Sequence, residues 1–249
     1  NWLFRQGKVN SASGTFDSSN PQTAWWIRFD QFQQGVGALG GGDVTIAAGG
    51  DVKNLSAHTP TQARMASIIP DAAALSTSGG GSVRVEAAKD ILGGQYYADR
   101  GELVLKAGGM VGSGQIETVS GKPVYTILAL GDAQARVQAQ DAVNIHAVLN
   151  PHWIVQSSGA TNTLFNVSPS TSNRKTLFST YSASSGVSLA SLSDKVTLHN
   201  ATGSNAVASL KLAYKGLLDT ADGKQQGQLD LLTYLPPTLE ATAFQGDIL

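Results

Sequence analysis

The chain contains no cysteine among its 249 residues and only 2 methionines. The absence of cysteine excludes disulfide bonds, thiol catalysis and zinc sites built on thiolates. Charged side chains make up 14% of the residues, and the 17 basic and 18 acidic groups leave a formal charge of -1. Such a chain has no electrostatic basis for binding nucleic acid or an anionic membrane surface. No apolar run reaches the roughly 20 residues of a membrane-spanning helix, so membrane insertion is not expected either.

The residues that the chain does contain in excess are small ones. There are 28 glycines, together with many alanines, serines and threonines. Glycine and small polar residues suit short strands that are joined by tight corners. The sequence has no long stretch with the period of an amphipathic helix. The composition therefore predicts an all-β fold.

The most informative pattern is a repeat of about 20 residues, in which residues 81–95 align with residues 101–115. Apolar and polar residues alternate with period two, as in a strand that buries one face. The register places Glu86 beside Lys106. A repeat of this length predicts a right-handed parallel β-helix, that is, a β-solenoid with coils of about 20 residues. The matched positions are Gly81 with Gly101, Val83 with Leu103, Val85 with Leu105, Ala87 with Ala107, Ile91 with Val111 and Gly94 with Gly114.

Other segments show the same alternation and extend the predicted stack of coils. Residues 206–212 and 229–235 are further candidate strands, with a less regular pattern. The inward positions of the regular segments are Val44, Ile46, Ala48 and Val52 in the earliest coil, Ala135, Val137, Ala139, Val143 and Ile145 in a middle coil, Val196 and Leu198 in a later coil, and Leu239, Ala241, Ala243 and Ile248 in the last.

Three insertions interrupt the pattern, at approximately residues 53–79, 116–130 and 150–191, and we expect them to leave the stack as loops or hairpins. Within the second, residues 124–130 read as a hairpin strand. The whole chain is thus expected to be a single β-helix segment. No basic start followed by an apolar core is found after Asn1, and the last five residues read as the beginning of a strand. We therefore expect this segment to belong to a longer polypeptide.

A family resemblance lies in residues 25–52, which read WWIRFDQFQQGVGALGGGDVTIAAGGDV. This run resembles a segment of the large filamentous-haemagglutinin-like exoproteins of Gram-negative bacteria. The Gly-Asp-Val repeats, the lack of cysteine and the Ser/Thr-rich insertions extend the resemblance over most of the chain. It implies a right-handed parallel β-helix shaft that is exported by two-partner secretion and serves adhesion, aggregation or delivery of a terminal toxin.

The same resemblance implies a secreted protein at the bacterial cell surface, with an outer-membrane transporter as its secretion partner. The family's amino-terminal secretion domain, with its Asn-Pro motifs, is not recognisable in this chain, and neither is a toxin-like carboxy-terminal domain. Recognition of the transporter is therefore expected to involve a region outside this segment. A host or bacterial surface receptor or glycan is a candidate partner for the insertions.

The carboxylates do not form an obvious catalytic pair in the sequence. Glycoside hydrolysis needs two carboxylates across one cleft, yet Asp90 aligns with Met110 and Glu86 aligns with Lys106. Most aspartates instead lie beside glycine or at corners, where their side chains can accept hydrogen bonds from backbone N–H groups. The spacing of these residues does not supply a tandem calcium-binding repeat. The corner aspartates are Asp43, Asp51, Asp90, Asp132, Asp141 and Asp247.

The remaining chemistry-bearing residues also favour a structural interpretation. No histidine has a carboxylate or second histidine at a metal-ligand spacing, and we expect all four, His58, His146, His152 and His199, at the surface or in loops. No Gly-x-Ser-x-Gly motif is present. The aromatic group Trp25, Trp26, Phe29 and Phe32 could stack on sugar rings, although Trp25, Ile27 and Phe29 alternate as in a buried strand. No catalytic residue, cofactor site or metal site is predicted.

The sequence thus leads to three hypotheses about function. The first is a non-enzymatic structural shaft of a secreted adhesin that projects a distal binding or effector region. The second is a carbohydrate-active β-helix enzyme, a polysaccharide lyase or hydrolase, because the fold alone permits one. The third is the stalk of a contact-dependent toxin-delivery protein.

Overall fold

The structure is a computed structural model, and it describes residues 35–65, 75–114, 124–150, 181–199 and 235–249 together with four short strands between residues 3 and 27. The described residues are mostly β-strand and contain no helix, which confirms the all-β class. The strands are β1 (Leu3–Gln6), β2 (Lys8–Val9), β3 (Phe16–Asp17), β4 (Ala24–Ile27), β5 (Gly35–Gly37), β6 (Val44–Ala48), β7 (Val52–Lys53), β8 (Ser56–Thr59), β9 (Thr61–Met65), β10 (Leu75–Gly79), β11 (Val83–Ala87), β12 (Ile91–Leu92), β13 (Gly94–Ala107), β14 (Val111–Gly112), β15 (Thr126–Ala139), β16 (Val143–Ile145), β17 (Ala147–Leu149), β18 (Gly186–Ser191), β19 (Val196–Leu198) and β20 (Thr238–Ala243).

The largest sheet runs in the order β6, β11, β13, β15, β18 and β20, and every neighbouring pair in this series is parallel. The register is continuous from the first strand to the last. It confirms the alignment of Val83 with Leu103 and of Val85 with Leu105, about 20 residues apart. One row of residues across the strands is Val44, Val83, Leu103, Ala135, Val187 and Leu239.

Two further series of parallel strands accompany this one. The strands β7, β12, β14, β16 and β19 form a five-stranded sheet with Val52, Ile91, Val111, Val143 and Val196 in one row. The other series joins β5, β8, the first halves of β13 and β15, and β17. Its row of matched residues is Val36, Ala57, Tyr96, Leu128 and Val148.

The chain visits the three series in a fixed order, from β6 to β7 and β8, then from β11 to β12 and the first half of β13. It then enters the first series again through the second half of β13. Each visit adds one strand beside its predecessor, with parallel strands about 4.8 Å apart. The order of visits and the shared register explain why residues far apart in sequence become strand neighbours.

The apolar core lies on the inward face of the three series. Val83, Val85 and Ala87 are buried on β11, whereas Arg84 between them is exposed, as the period-two pattern predicts. The same alternation runs along the second half of β15. Fully burying a valine or leucine side chain stabilises a fold by about 1.5 to 3 kcal/mol. The buried rows are therefore a main source of the stability of this fold.

The structure moves the limits of all three predicted insertions. Ser56–Thr59 lie in the first predicted insertion, but they form β8 and pair in parallel with β13. The hairpin strand predicted at residues 124–130 is wrong, because residues 126–139 form one continuous strand, β15, that pairs in parallel with β13. The third predicted insertion similarly ends before β18.

One detail of the predicted register also changes, at Gly94. Gly94 is not a neighbour of Gly114, because its register partner on the next strand is Thr126. Glu86 does lie beside Lys106, as predicted. The ion pair that Glu86 makes, however, joins it to Arg84 on its own strand.

The early part of the chain forms antiparallel pairs. The strands β1, β4, β9 and β10 make a four-stranded antiparallel sheet, and β2 pairs with β3. Trp25 and Trp26 belong to β4, but their side chains, together with Phe29 and Phe32, lie outside the described residues. So do the candidate strands at 206–212 and 229–234 and most of the third insertion.

Candidate functional site

We call one passage of the chain through the three series a layer, and the bends between its strands corners. Side-chain oxygens at the corners link successive layers. The Asp51 Oδ1 accepts a hydrogen bond from the backbone N–H of Asp90 at 3.2 Å, and the Asp90 Oδ1 accepts one from the N–H of Met110 at 2.8 Å. At a second corner, Asp43 accepts from the N–H of Ser82 at 2.7 Å. These contacts confirm the corner interpretation of Asp43, Asp51 and Asp90.

Two other carboxylates, those of Asp132 and Asp141, make comparable contacts. Asp132 accepts hydrogen bonds from the hydroxyls of Ser182 and Ser184, the latter at 3.2 Å, and Asp141 accepts from the Ser193 hydroxyl at 3.1 Å. Both carboxylates are thus hydrogen-bonded to serine hydroxyls of neighbouring turns.

The carboxylate of Asp51 has a lowered pKa. The main cause is its contact with the Lys53 ammonium at 2.9 Å, followed by the hydrogen bond from the N–H of Asp90. Asp51 is therefore held in the charged form that accepts the backbone hydrogen bond most strongly.

The outward face of the largest sheet is polar and carries charges of both signs. Arg84 pairs with Glu86, and Arg136 lies 3.7 Å from Glu102. Glu86 has Ala47 and Lys106 as its register neighbours. Within this described sheet, no two carboxylates are register neighbours on adjacent strands. This outward face therefore has no matched pair of carboxylates on neighbouring strands.

The prediction that His58 lies at the surface is wrong, because its side chain is only 1% exposed. Its Nε2–H donates to the backbone carbonyl of Gln95 at 3.0 Å, and its ring meets Tyr97 edge to face at 6.4 Å between centroids. Burial lowers the pKa of His58 to about 3. The imidazole is therefore neutral at physiological pH and acts as a buried, hydrogen-bonded side chain.

His58 belongs to a second buried face, on the side of its sheet that is opposite the apolar core. The Tyr97 hydroxyl there donates to the Asp99 carboxylate at 2.8 Å, and both residues are fully buried. Burial raises the pKa of Tyr97 well above its usual value, and the negative charge of Asp99 adds to this effect. Apolar residues on the same face, Ile127, Ala129 and Leu149, are also buried. This part of the sheet is consequently packed on both sides.

His146 and His199 come together at the end of β16 and β19. Their ring centroids lie 6.0 Å apart, and the Tyr125 ring stacks on His146 at 4.0 Å. His146 is half-buried and His199 is exposed. Burial lowers the pKa of His146 to about 4, with a smaller effect from His199.

Some expected features fall outside these clusters. His152 lies outside the described residues. Across the segments that the structure describes, no group of three or more histidine, aspartate or glutamate side chains is arranged to hold a metal ion. The same segments contain no helix with the length and apolarity to span a membrane.

The buried histidine predicts an acid-sensitive fold. Because the pKa of His58 is about 3 in the folded state and 6.5 in the unfolded state, the unfolded chain binds a proton over this interval. The free energy of unfolding should be highest above pH 6.5 and should fall by about 2 to 3 kcal/mol between pH 6 and pH 4 from this residue alone. Urea unfolding at pH 6, 5 and 4 measures the decrease.

The matched variant His58→Gln keeps a donor for the Gln95 carbonyl but cannot be protonated. Its unfolding free energy should change less between pH 6 and pH 4 than that of the wild type. Equal pH dependence in both proteins, or an imidazole of His58 that titrates near 6.5 by NMR, would contradict the prediction.

Sequence reasoning missed both histidine clusters for one reason. Their members are brought together by strand pairing across long intervals, as in the case of His146 and His199. The polar residues of β8 also lack a strong period-two signal. A comparison with known protein families, with curated proteins and with solved structures finds no match to this chain.

Proposed function

We propose that this chain is a segment of the β-helical shaft of a filamentous-haemagglutinin-like exoprotein. In this proposal the shaft is right-handed, as crossover connections between parallel strands nearly always are. Its work is structural and non-enzymatic: it projects a distal binding or effector region of a secreted adhesin away from the bacterial surface. The resemblance of residues 25–52 and the Gly-Asp-Val repeats suggested the family.

The observation that carries the proposal is the unbroken register from β6 to β20. Six strands follow one another in parallel, although long segments of chain intervene between several of them. Each step along this series adds about 4.8 Å, so the five steps extend over roughly 24 Å. A stack that grows by one strand at each visit produces length, which is the property that a shaft needs.

The corner contacts support the same mechanical role. Asp51, Asp90 and Met110 occupy equivalent corners of three successive layers and are linked by side-chain-to-backbone hydrogen bonds. These bonds add to the backbone ladders and resist shear between layers. The predicted insertions could carry contacts to a receptor or glycan without disturbing the core, because loops on a rigid scaffold tolerate change. The secretion transporter would bind another region of the full protein.

The test uses the polypeptide from its natural source. We expect an intact mass several-fold above 25.8 kDa, further Gly-Asp-Val coils on either side, and accessibility to antibody or protease on intact cells. A small intracellular product would contradict the proposal.

A screen for turnover of neutral and acidic polysaccharides distinguishes the enzyme hypothesis. The shaft proposal predicts no turnover above that of the heat-unfolded chain. Catalytic release of oligosaccharides by the purified chain would replace the shaft with a β-helix enzyme. A toxin domain downstream in the natural polypeptide would identify the shaft as the stalk of a toxin-delivery protein.

A further inference from the structure

We propose that His146 and His199 form a binding site for a transition-metal ion of the Zn²⁺, Ni²⁺ or Cu²⁺ type, which joins two successive strand layers. The two residues follow β16 and β19, which are parallel neighbours in the five-stranded sheet. They are separated by a long interval in the sequence, and only strand pairing brings them together. The site is independent of the proposed shaft function.

The backbone holds both residues in place. The N–H of His199 donates to the carbonyl of Ile145 at 3.0 Å, and the N–H of His146 donates to the carbonyl of Thr126 at 2.9 Å. The two imidazoles therefore extend from adjacent, hydrogen-bonded positions.

The ring geometry suits a shared ion. The centroids of the two imidazoles lie 6.0 Å apart with an interplanar angle of 40°. With a zinc–nitrogen distance of about 2.0 to 2.1 Å, two imidazole rings around one ion have centres roughly 5 to 6 Å apart. The observed separation of 6.0 Å lies at the upper end of this range.

The surroundings prepare His146 as a ligand. Tyr125 stacks on its ring at 4.0 Å and 21°, which restricts the orientation of the imidazole. His199 is exposed, so an ion can approach from solvent and retain water molecules at its other coordination positions. Imidazole ligands favour zinc, nickel and copper over magnesium or calcium.

The first experiment is isothermal titration of the full, untagged chain with ZnCl₂ at pH 7.5. We expect binding of one equivalent and a rise in the midpoint of thermal unfolding, because the ion binds the folded state. His199→Gln should weaken Zn²⁺ binding by more than about tenfold, since one of the two protein ligands is lost, and should abolish the thermal shift. Because His199 is exposed, this variant should fold normally.

The control is His58→Gln, which removes a buried histidine of β8 whose Nε2–H already donates to the Gln95 carbonyl. It should keep the wild-type affinity for Zn²⁺, and MgCl₂ should give no thermal shift in any variant. The proposal is overturned if the wild type does not bind Zn²⁺ or if His199→Gln binds it as tightly as the wild type.

Discussion

Replacement of Val85 by aspartate should lower the free energy of unfolding by about 4 kcal/mol or more. Val85 is fully buried on β11, with Ile46 and Leu105 as its register neighbours on the two sides. An aspartate there would place a carboxylate among valine, isoleucine and leucine side chains, where it has no ionic partner. The expected outcome is loss of the local strand or unfolding of the chain at room temperature, measured by urea denaturation and circular dichroism.

The control for Val85→Asp is Gln138→Asp. Gln138 lies on the exposed face of the same sheet, and its register neighbour is Lys106. A carboxylate at this position remains in water beside a cation, so the unfolding free energy should change by less than about 1 kcal/mol. Equal effects of the two substitutions would show that Val85 does not face the core, which contradicts the register.

Replacement of Gly94 by alanine should cost about 3 kcal/mol or more, because both the backbone conformation and the space at this position exclude a side chain. The φ angle of Gly94 is 121°, a region that residues with a Cβ rarely adopt. A Cβ at this position would overlap the carbonyl oxygen of Leu55 and lie 2.9 Å from its carbonyl carbon. These atoms belong to the backbone of the preceding layer, so they cannot move aside without shifting a strand.

The control for Gly94→Ala is Gly49→Ala. A Cβ added at Gly49 meets no atom within 4 Å, and its φ is not in the left-handed region. This variant should have the stability of the wild type or gain up to about 1 kcal/mol, because alanine restricts the unfolded chain. Thermal and urea unfolding of the two variants give the comparison. Similar stabilities would contradict the close approach of successive layers at Gly94.

The register between β11 and β13 could be predicted because the chain connects them without an insertion. Matched residues recur at one spacing, from Val83 and Leu103 to Ile91 and Val111. The predicted match of Gly94 with Gly114 is wrong, because Gly94 pairs with Thr126, the first residue of β15. The chain does not continue directly from Gly114 into that strand. A sequence repeat shows which residues match between consecutive passages of the chain. It does not show where the chain rejoins the parallel strands after an insertion.

The strand at Ser56–Thr59 was not predictable for a different reason. Its four residues lack the apolar alternation that marks a half-buried strand, because this part of the sheet is buried on both faces. Its conformation depends on pairing with residues 96–98, which is a tertiary contact. The burial of His58 follows from the same packing and has no local signal.

The aspartate corners could be predicted, whereas the histidine pair could not. Asp51 and Asp90 each follow a glycine or lysine at a turn, and a short acidic side chain at such a position commonly accepts a backbone hydrogen bond. His146 and His199 carry no comparable local signal. Their proximity depends on the pairing of β16 with β19 across a segment whose length the repeat does not specify.

Disulfide trapping is the most direct test of the parallel register, and the chain suits it because it contains no cysteine of its own. Arg136 on β15 and Ser188 on β18 are register neighbours, and Ser188 is the neighbour of Glu240 on β20. Arg136→Cys combined with Ser188→Cys should form an intramolecular disulfide readily, because neighbouring strands are about 4.8 Å apart. Arg136→Cys combined with Glu240→Cys spans two strands, roughly 10 Å, and should remain reduced under the same conditions. Mass spectrometry of proteolytic fragments measures both yields, and equal or reversed yields would contradict a continuous parallel stack.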